Sequence, residues 1–185
     1  MRVVGGSFKG RKLASFKRAS IRPTSDKVRE AVFNILGCDF PFKCVLDLFA
    51  GTGAMGIEAL SRGAEEVVFV DADPVALATI KKNIETVGTE ARTEVYKLDS
   101  LEAVKTLSRK GRSFDLIFMD PPYAVDIYDK LLGAVRTGEL LKPGALIVVE
   151  LSSRKSIDVD IKGLVERDNR RYGDTSIYFF EFKEN

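Results

Sequence analysis

Residues 120–123, Asp120-Pro121-Pro122-Tyr123, place a carboxylate and an aromatic ring directly after the apolar run 114–119. That run has the length and composition of a buried strand, so we expect the tetrapeptide at the carboxyl end of the strand. Two prolines remove two backbone donors and keep Asp120 out of the helical region, which predicts a rigid corner. Its carboxylate and carbonyl groups could hold the two N–H groups of an exocyclic amine, while Tyr123 stacks on the ring.

An amine on a planar base is a poor nucleophile, because its lone pair is delocalised into the ring. Acceptors that hold both N–H groups favour the lone pair on the side that faces a methyl donor. The sulfonium methyl of S-adenosylmethionine needs no metal, and positioning of the two reactants would supply much of the acceleration. The chain contains no histidine, which excludes Ser-His-Asp and Cys-His hydrolysis and removes the commonest transition-metal ligand. No metal site is therefore predicted.

The segment 51–56 matches G-x-G-x-x-G between a predicted strand at 43–49 and a predicted helix. Glycines let the backbone approach a ligand closely, and the N-terminus of the helix offers unpaired N–H groups. This motif alone does not choose among dinucleotides, flavins and S-adenosylmethionine. The residues predicted to contact the cofactor around this turn are Phe49, Ala50, Gly51, Thr52 and Gly53.

Three acids follow three successive predicted parallel strands, and they should meet at one edge of the sheet. Asp47 could face a cationic ligand group, whereas a dinucleotide pyrophosphate would be repelled there. Asp71, beside Ala72, could accept hydrogen bonds from a ribose diol, and Asp99, beside Ser100, could accept from an adenine amine. Each acid taken singly is as compatible with a cap or turn as with a ligand contact. Together with the tetrapeptide, they favour S-adenosylmethionine.

Five predicted strands alternate with helices, and two more strands, 164–168 and 176–182, close the chain. This order is typical of the α/β class, a doubly wound, mostly parallel seven-stranded sheet with an antiparallel C-terminal strand. Residues 169–174 are predicted to form a hairpin turn, and Pro143-Gly144 to form a turn before a strand at 145–150.

The 185 residues carry an uneven charge, although the net charge is only +2. Residues 1–30 contain nine basic and two acidic groups, so this segment is at +7 and the remainder at −5. A basic N-terminal arm, residues 1–25, before a domain of residues 26–185 predicts a polyanionic partner. The alternative is a solvated basic tail that has no partner.

No apolar run approaches the roughly 20 residues that a membrane span requires. The N-terminal residues have no apolar signal core, so we expect a cytoplasmic protein. We also expect a monomer and no membrane partner. Cys38 and Cys44 flank Pro41 and give neither a disulfide framework nor a metal-ligand spacing.

These motifs resemble those of class I S-adenosylmethionine-dependent methyltransferases, with residues 47–53 as the first motif and residues 120–123 as the amino-methylating motif. More specifically, the chain is similar to the RsmD family of bacterial 16S rRNA guanine-N2 methyltransferases. The similarity covers most of the chain, through Arg2-Val3-Val4-Gly5-Gly6, Lys9-Gly10-Arg11-Lys12-Leu13, Arg22-Pro23-Thr24, Val28-Arg29-Glu30-Ala31, Phe33-Asn34-Ile35-Leu36, the two motifs and Tyr172-Gly173.

The resemblance implies methyl transfer from S-adenosylmethionine to N2 of a guanine in 16S rRNA, within the small ribosomal subunit or an assembly intermediate. It implies that Asp71 binds the ribose and Asp99 the adenine, and that the methionine moiety contacts Asp47, Gly51 and Gly53. The residues that would hold the guanine are Asp120, Pro121, Pro122 and Tyr123. The candidate RNA contacts are Arg11, Lys12, Arg22, Arg29 and Arg171.

Three alternatives stay open from the sequence. The four-residue motif also serves enzymes that methylate adenine or cytosine amines in DNA or other RNA. The literal glycine motif is compatible with a nicotinamide-dependent oxidoreductase. A non-catalytic RNA-binding assembly factor could have kept the same fold.

Overall fold

The computed structural model describes residues 1–16, 26–37, 39–122, 127–157 and 161–184. The helices in these ranges are α1 (Asp26–Leu36), α2 (Ala54–Arg62), α3 (Pro74–Val87), α4 (Ser100–Arg109) and α5 (Tyr128–Thr137). The strands are β1 (Cys44–Asp47), β2 (Glu66–Asp71), β3 (Thr93–Lys97), β4 (Phe114–Met119), β5 (Leu141–Ser152), β6 (Leu164–Tyr172) and β7 (Thr175–Phe182).

These seven strands form one sheet in the order β3-β2-β1-β4-β5-β7-β6. Strands β1 to β5 run parallel to one another, whereas β7 runs antiparallel to both β5 and β6. The predicted α/β class and the mostly parallel seven-stranded sheet are therefore confirmed. The strand order reverses between β1 and β4, and a reversal of this kind leaves a crevice at the carboxyl ends of the strands.

Alternation along the strands gives the sheet two apolar faces, because successive side chains point to opposite sides. On β1, Val45 packs into a core shared with α1, α2 and α3, while Leu46 packs into a second core formed with α4 and α5. Both side chains are fully buried. Each such burial stabilises the fold by roughly 1.5–3 kcal/mol and holds the carboxyl ends of the strands in register.

Two predicted turns differ from the structure. Pro143-Gly144 lies inside β5, at an irregularity in its pairing with β4, so the strand begins before the predicted turn. The predicted hairpin between the last two strands is confirmed, but its turn is shorter than 169–174, because β6 continues to Tyr172 and only two residues separate it from β7. Strand β6 lies at the edge of the sheet and is mostly exposed, so its charged residues have the composition of a loop.

The N-terminal segment, residues 1–16, packs against α2 and α3, through hydrogen bonds from Val4 to Glu58 and from Ala14 to Asn83. An antiparallel bridge between Arg2 and Lys12 folds the two ends of this segment together as a hairpin. Val3 and Leu13 are buried in the core that contains α1 and α2. The division at residue 25 stays a prediction, since residues 17–25 lie outside the described ranges.

Thr24 and Ser25, whose residue types favour the N-cap position of a helix that begins near Asp26, lie in that undescribed stretch. Among the helices of the described ranges, none has the length and apolar character needed to cross a membrane.

Candidate active site

A cavity of about 380 Å³ lies where the strand order reverses, at the carboxyl ends of β1, β2, β4 and β5. Its lining brings together most of the predicted cofactor contacts. These are Asp47, Phe49, Ala50, Gly51, Thr52, Asp71, Ala72, Asp99 and Ser100. The cavity thus joins the ends of several parallel strands in one site.

Gly53, also predicted to contact the cofactor, is absent from this lining and has a structural role. It is the N-cap of α2 in the left-handed conformation, with a φ of 76°, which favours glycine. The last glycine of the motif, Gly56, packs α2 against β2, because a Cβ atom there would lie 2.3 Å from the Phe69 ring. Backbone conformation at Gly53 and close approach of helix and strand at Gly56, rather than contact with a ligand, therefore explain two of the three motif glycines.

Asp47, the last residue of β1, is the most deeply buried acid of the cavity, at 3% exposure. Its Oδ2 accepts a hydrogen bond from the Gly56 N–H at 3.2 Å. Burial raises the pKa of Asp47 to about 7, the Gly56 hydrogen bond opposes this rise, and the charge of nearby Asp71 adds to it. A cation bound in the cavity would favour the ionised carboxylate.

Asp71, the last residue of β2, is fixed by two backbone donors. Its Oδ2 accepts from the Gly51 N–H and its Oδ1 from the Asp73 N–H, both at 2.8 Å. The first bond ties the glycine-rich turn to the neighbouring strand. Each carboxylate oxygen has two lone pairs, so these bonds leave capacity for a ligand diol.

Asp99 both caps a helix and lines the cavity. Its Oδ1 accepts from the backbone N–H groups of Leu101 and Glu102, each at 3.0 Å, at the N-terminus of α4. The sequence left a cap and a ligand contact as alternatives. The geometry permits both at once, because the capping bonds use only one carboxylate oxygen.

The remaining predicted site residues follow β4, which ends at Met119 as predicted. Asp120, Pro121 and Pro122 all line the cavity, and Pro121 is buried. Tyr123, predicted to stack on the target base, lies outside the described residues.

Several lining residues were not identified from the sequence. Apolar side chains of the N-terminal segment, α1, α2 and β7 contribute to the wall: Met1, Phe16, Val32, Met55 and Ile177. Glu150, on β5, also lines the cavity and is only 8% exposed. Their positions depend on packing between distant segments, so no local motif marks them.

The prediction that Arg29 contacts RNA is wrong, because its side chain has no exposed surface. It forms ion pairs with Asp26 at 2.9 Å and with Glu58 at 3.7 Å, and it donates a hydrogen bond to the Arg2 carbonyl. Arg29 therefore fastens α1 to α2 and to the N-terminal segment. Arg22 lies outside the described residues.

The other candidate RNA contacts are at the surface and stay predictions. Arg11 lies 5.4 Å from the centroid of the Phe8 ring and donates to the Thr86 carbonyl at 3.2 Å. Lys12 and Arg171 are exposed, and their positive charges are accessible to phosphate groups.

The sheet order, the antiparallel C-terminal strand and the cavity at the switch point define a Rossmann-like class I methyltransferase fold. The family model described as "Conserved hypothetical protein 95" matches residues 1–181, and the chain belongs to this family. The sequence-based resemblance to the RsmD family is confirmed by two relatives and one solved structure.

YlbH of Bacillus subtilis is 38% identical to this chain, and the match covers 98% of both proteins. Ribosomal RNA small subunit methyltransferase D of Haemophilus influenzae is 35% identical, over 85% of this chain and 81% of its own length. The solved structure of yhhF from Escherichia coli superposes with a TM-score of 0.86 at 25% identity, covering 100% of this chain and 99% of its own.

Proposed function

We propose that this protein transfers a methyl group from S-adenosylmethionine to the exocyclic N2 amine of a guanine in 16S rRNA. The observation that carries the proposal is one cavity whose lining includes both Asp47, Asp71 and Asp99 and the corner Asp120-Pro121-Pro122. We call the first set the donor end, after the methyl donor that it would hold, and the second set the acceptor end, after the base that it would hold. The two sets suit the two reactants of an amine methylation.

S-adenosylmethionine would supply a sulfonium-bound methyl group: the S–C bond would break as the N–C bond forms, which leaves S-adenosylhomocysteine, and the amine would lose one proton to Asp120 or to water. On the chain's side, the buried Asp47 carboxylate would hold the cationic methionine moiety. Asp71 would accept hydrogen bonds from the ribose hydroxyls, and Asp99 from the adenine amine. Backbone bonds already fix all three carboxylates, which reduces the ordering that binding requires.

At the other end, Asp120 and the proline carbonyls would accept from the target amine and orient its lone pair toward the methyl group. Orientation of this kind is a major source of acceleration in reactions between two bound groups. Pro121 and Pro122 restrict the backbone at this corner, so the acceptors stay in place when the base is absent.

Support for ribosomal RNA comes from the family, since the H. influenzae relative is named as a methyltransferase of the small ribosomal subunit RNA. Exposed basic residues such as Arg11, Lys12 and Arg171 are compatible with contacts to phosphate groups. We further propose that the 16S rRNA is methylated within a small ribosomal subunit that is assembled or being assembled.

Transfer of a labelled methyl group to small ribosomal subunits, naked 16S rRNA and duplex DNA tests the proposal. We expect incorporation into the RNA substrates and none into DNA. Preferential methylation of DNA would contradict the RNA substrate, and no incorporation into any of them would favour a non-catalytic binding protein. Calorimetry should show binding of S-adenosylhomocysteine and no binding of NAD, which excludes the oxidoreductase alternative.

A further inference from the structure

Glu150 occupies a position in the cavity that the proposed reaction does not yet use. Strands β4 and β5 pair Phe118 with Val148 and Met119 with Val149. Asp120 and Glu150 are the residues that follow Met119 and Val149, and both line the cavity. Continued for one residue, the register would place these two acids opposite each other, at the spacing of about 4.8 Å between neighbouring strands.

The face on which Glu150 lies is also fixed by the sheet. Val148, two residues earlier on β5, packs in the core that contains Phe118 and also lines the cavity. Ile177, the partner of Glu150 on β7, lines the cavity as well. Glu150, at 8% exposure, thus lies on the face of β5 that lines the cavity, next to Ile177 of β7.

Two adjacent carboxylates suit the hydrogen-bonding edge of guanine and would repel the corresponding edges of adenine and cytosine. In guanine the ring nitrogen N1, next to the N2 amine, carries a proton, so N1–H and N2–H are neighbouring donors. In adenine and cytosine the ring nitrogen beside the amine carries a lone pair, which a carboxylate would repel. An acid beside the amine-holding acid therefore separates guanine from both bases of the competing DNA substrates.

We propose that Glu150 is a specificity-determining residue that accepts the N1–H hydrogen bond of the target guanine while Asp120 holds the N2 amine. This inference rests on the proposed function and assigns the choice of base to a residue on β5, outside the Asp-Pro-Pro-Tyr segment. A protein that lacks this acid would still bind the methyl donor, because Asp47, Asp71 and Asp99 lie at the other end.

The test uses small subunits reconstituted with 16S rRNA that carries guanine or 2-aminopurine at the methylated position. 2-Aminopurine keeps the amine but has a lone pair at N1. We expect the wild type to prefer guanine, and Glu150→Gln to reduce this preference in kcat/KM by roughly 10- to 100-fold, the effect of one hydrogen bond to a charged group. The glutamine amide can donate to N1 of 2-aminopurine, so activity on that base should hold or rise.

Glu181→Gln on β7, outside the cavity lining, is the matched control and should leave the preference unchanged. Affinity for S-adenosylhomocysteine, measured by calorimetry, should be the same in both variants and the wild type. Equal losses on the two bases, or an unchanged preference, would overturn the role of Glu150. A wild type that methylates neither RNA would instead overturn the proposed function, and the inference with it.

Discussion

The two ends of the cavity are built in different ways. At the donor end, Asp47, Asp71 and Asp99 each accept hydrogen bonds from backbone groups of a turn or helix that follows a strand. At the acceptor end, Asp120 directly follows β4 and Glu150 lies on β5, two paired strands that are separated in the sequence by a helix.

This difference indicates that the two ends can change independently. The donor end combines acids with glycine-rich turns and helix N-termini, so each acid has structural bonds that remain whether or not a ligand is bound. The acceptor end depends on two strands and the segment after β4, so its residues can alter the choice of base without altering the cofactor site. The following predictions are ordered from the largest expected effect to the smallest.

Asp120→Ala should separate the two ends most strongly. Loss of the acceptor for the target amine should lower the rate of methyl transfer by roughly 10²-fold or more. Affinity for S-adenosylhomocysteine should change by less than about threefold, since the donor end is intact. Single-turnover methylation and calorimetry measure the two quantities, and retained activity would refute the role given to Asp120.

Asp47→Asn should have the opposite profile. Loss of the charged partner of the methionine moiety should lower the affinity for S-adenosylhomocysteine by roughly 10- to 100-fold. The cofactor-free variant should nevertheless be more stable than the wild type at pH 8, on the order of a few kcal/mol, because a buried carboxylate no longer has to ionise.

The stability difference has a defined pH window. The pKa of Asp47 is about 7 in the folded protein against 3.8 for the ordinary group, so the folded wild type binds more protons between these values. Its stability should therefore decline as pH rises from about 4 to about 7, relative to Asp47→Asn. Urea unfolding across this range measures the difference. Equal stabilities of the two proteins at pH 8 would contradict the raised pKa of the buried Asp47 carboxyl.

Cofactor affinity should share this titration. Below pH 7 the Asp47 carboxyl is protonated in the free protein, and a bound cation must displace that proton. The affinity for S-adenosylhomocysteine should fall as pH decreases below about 7, by up to about tenfold per pH unit. Calorimetry between pH 5.5 and 8 tests this, and a flat profile would show that Asp47 does not meet the cation.

Sequence reasoning succeeded where a signal is local. The spacing of Asp47 and the glycine motif predicted that both lie where β1 ends, and they line one cavity there; the apolar run before Asp120 predicted the end of β4. It failed where long-range packing decides: Glu150 is placed by the register of two strands, and Arg29 is buried through contacts with Glu58 and the N-terminal segment. The positive charge of Arg29 predicted an exposed side chain, whereas tertiary ion pairs allow its burial.

Asp99→Asn should have the smallest effect of the four substitutions discussed for the two ends. An asparagine oxygen can keep the capping bonds to Leu101 and Glu102, so thermal stability should be nearly unchanged. The NH2 group of the asparagine would donate a hydrogen bond rather than accept one, which should lower the affinity for S-adenosylhomocysteine by about 2- to 10-fold. A loss of thermal stability in Asp99→Asn, with the affinity for S-adenosylhomocysteine unchanged, would indicate that Asp99 acts as a cap alone.

The most direct test of the proposed function is the identity of the methylated nucleoside. Small ribosomal subunits that lack the modification are incubated with the protein and S-adenosylmethionine, and the digested RNA is analysed by mass spectrometry. The account predicts N2-methylguanosine at a single position of 16S rRNA, absent with Asp120→Ala. Methylated adenine or cytosine in its place would contradict both the guanine substrate and the role of the two adjacent acids.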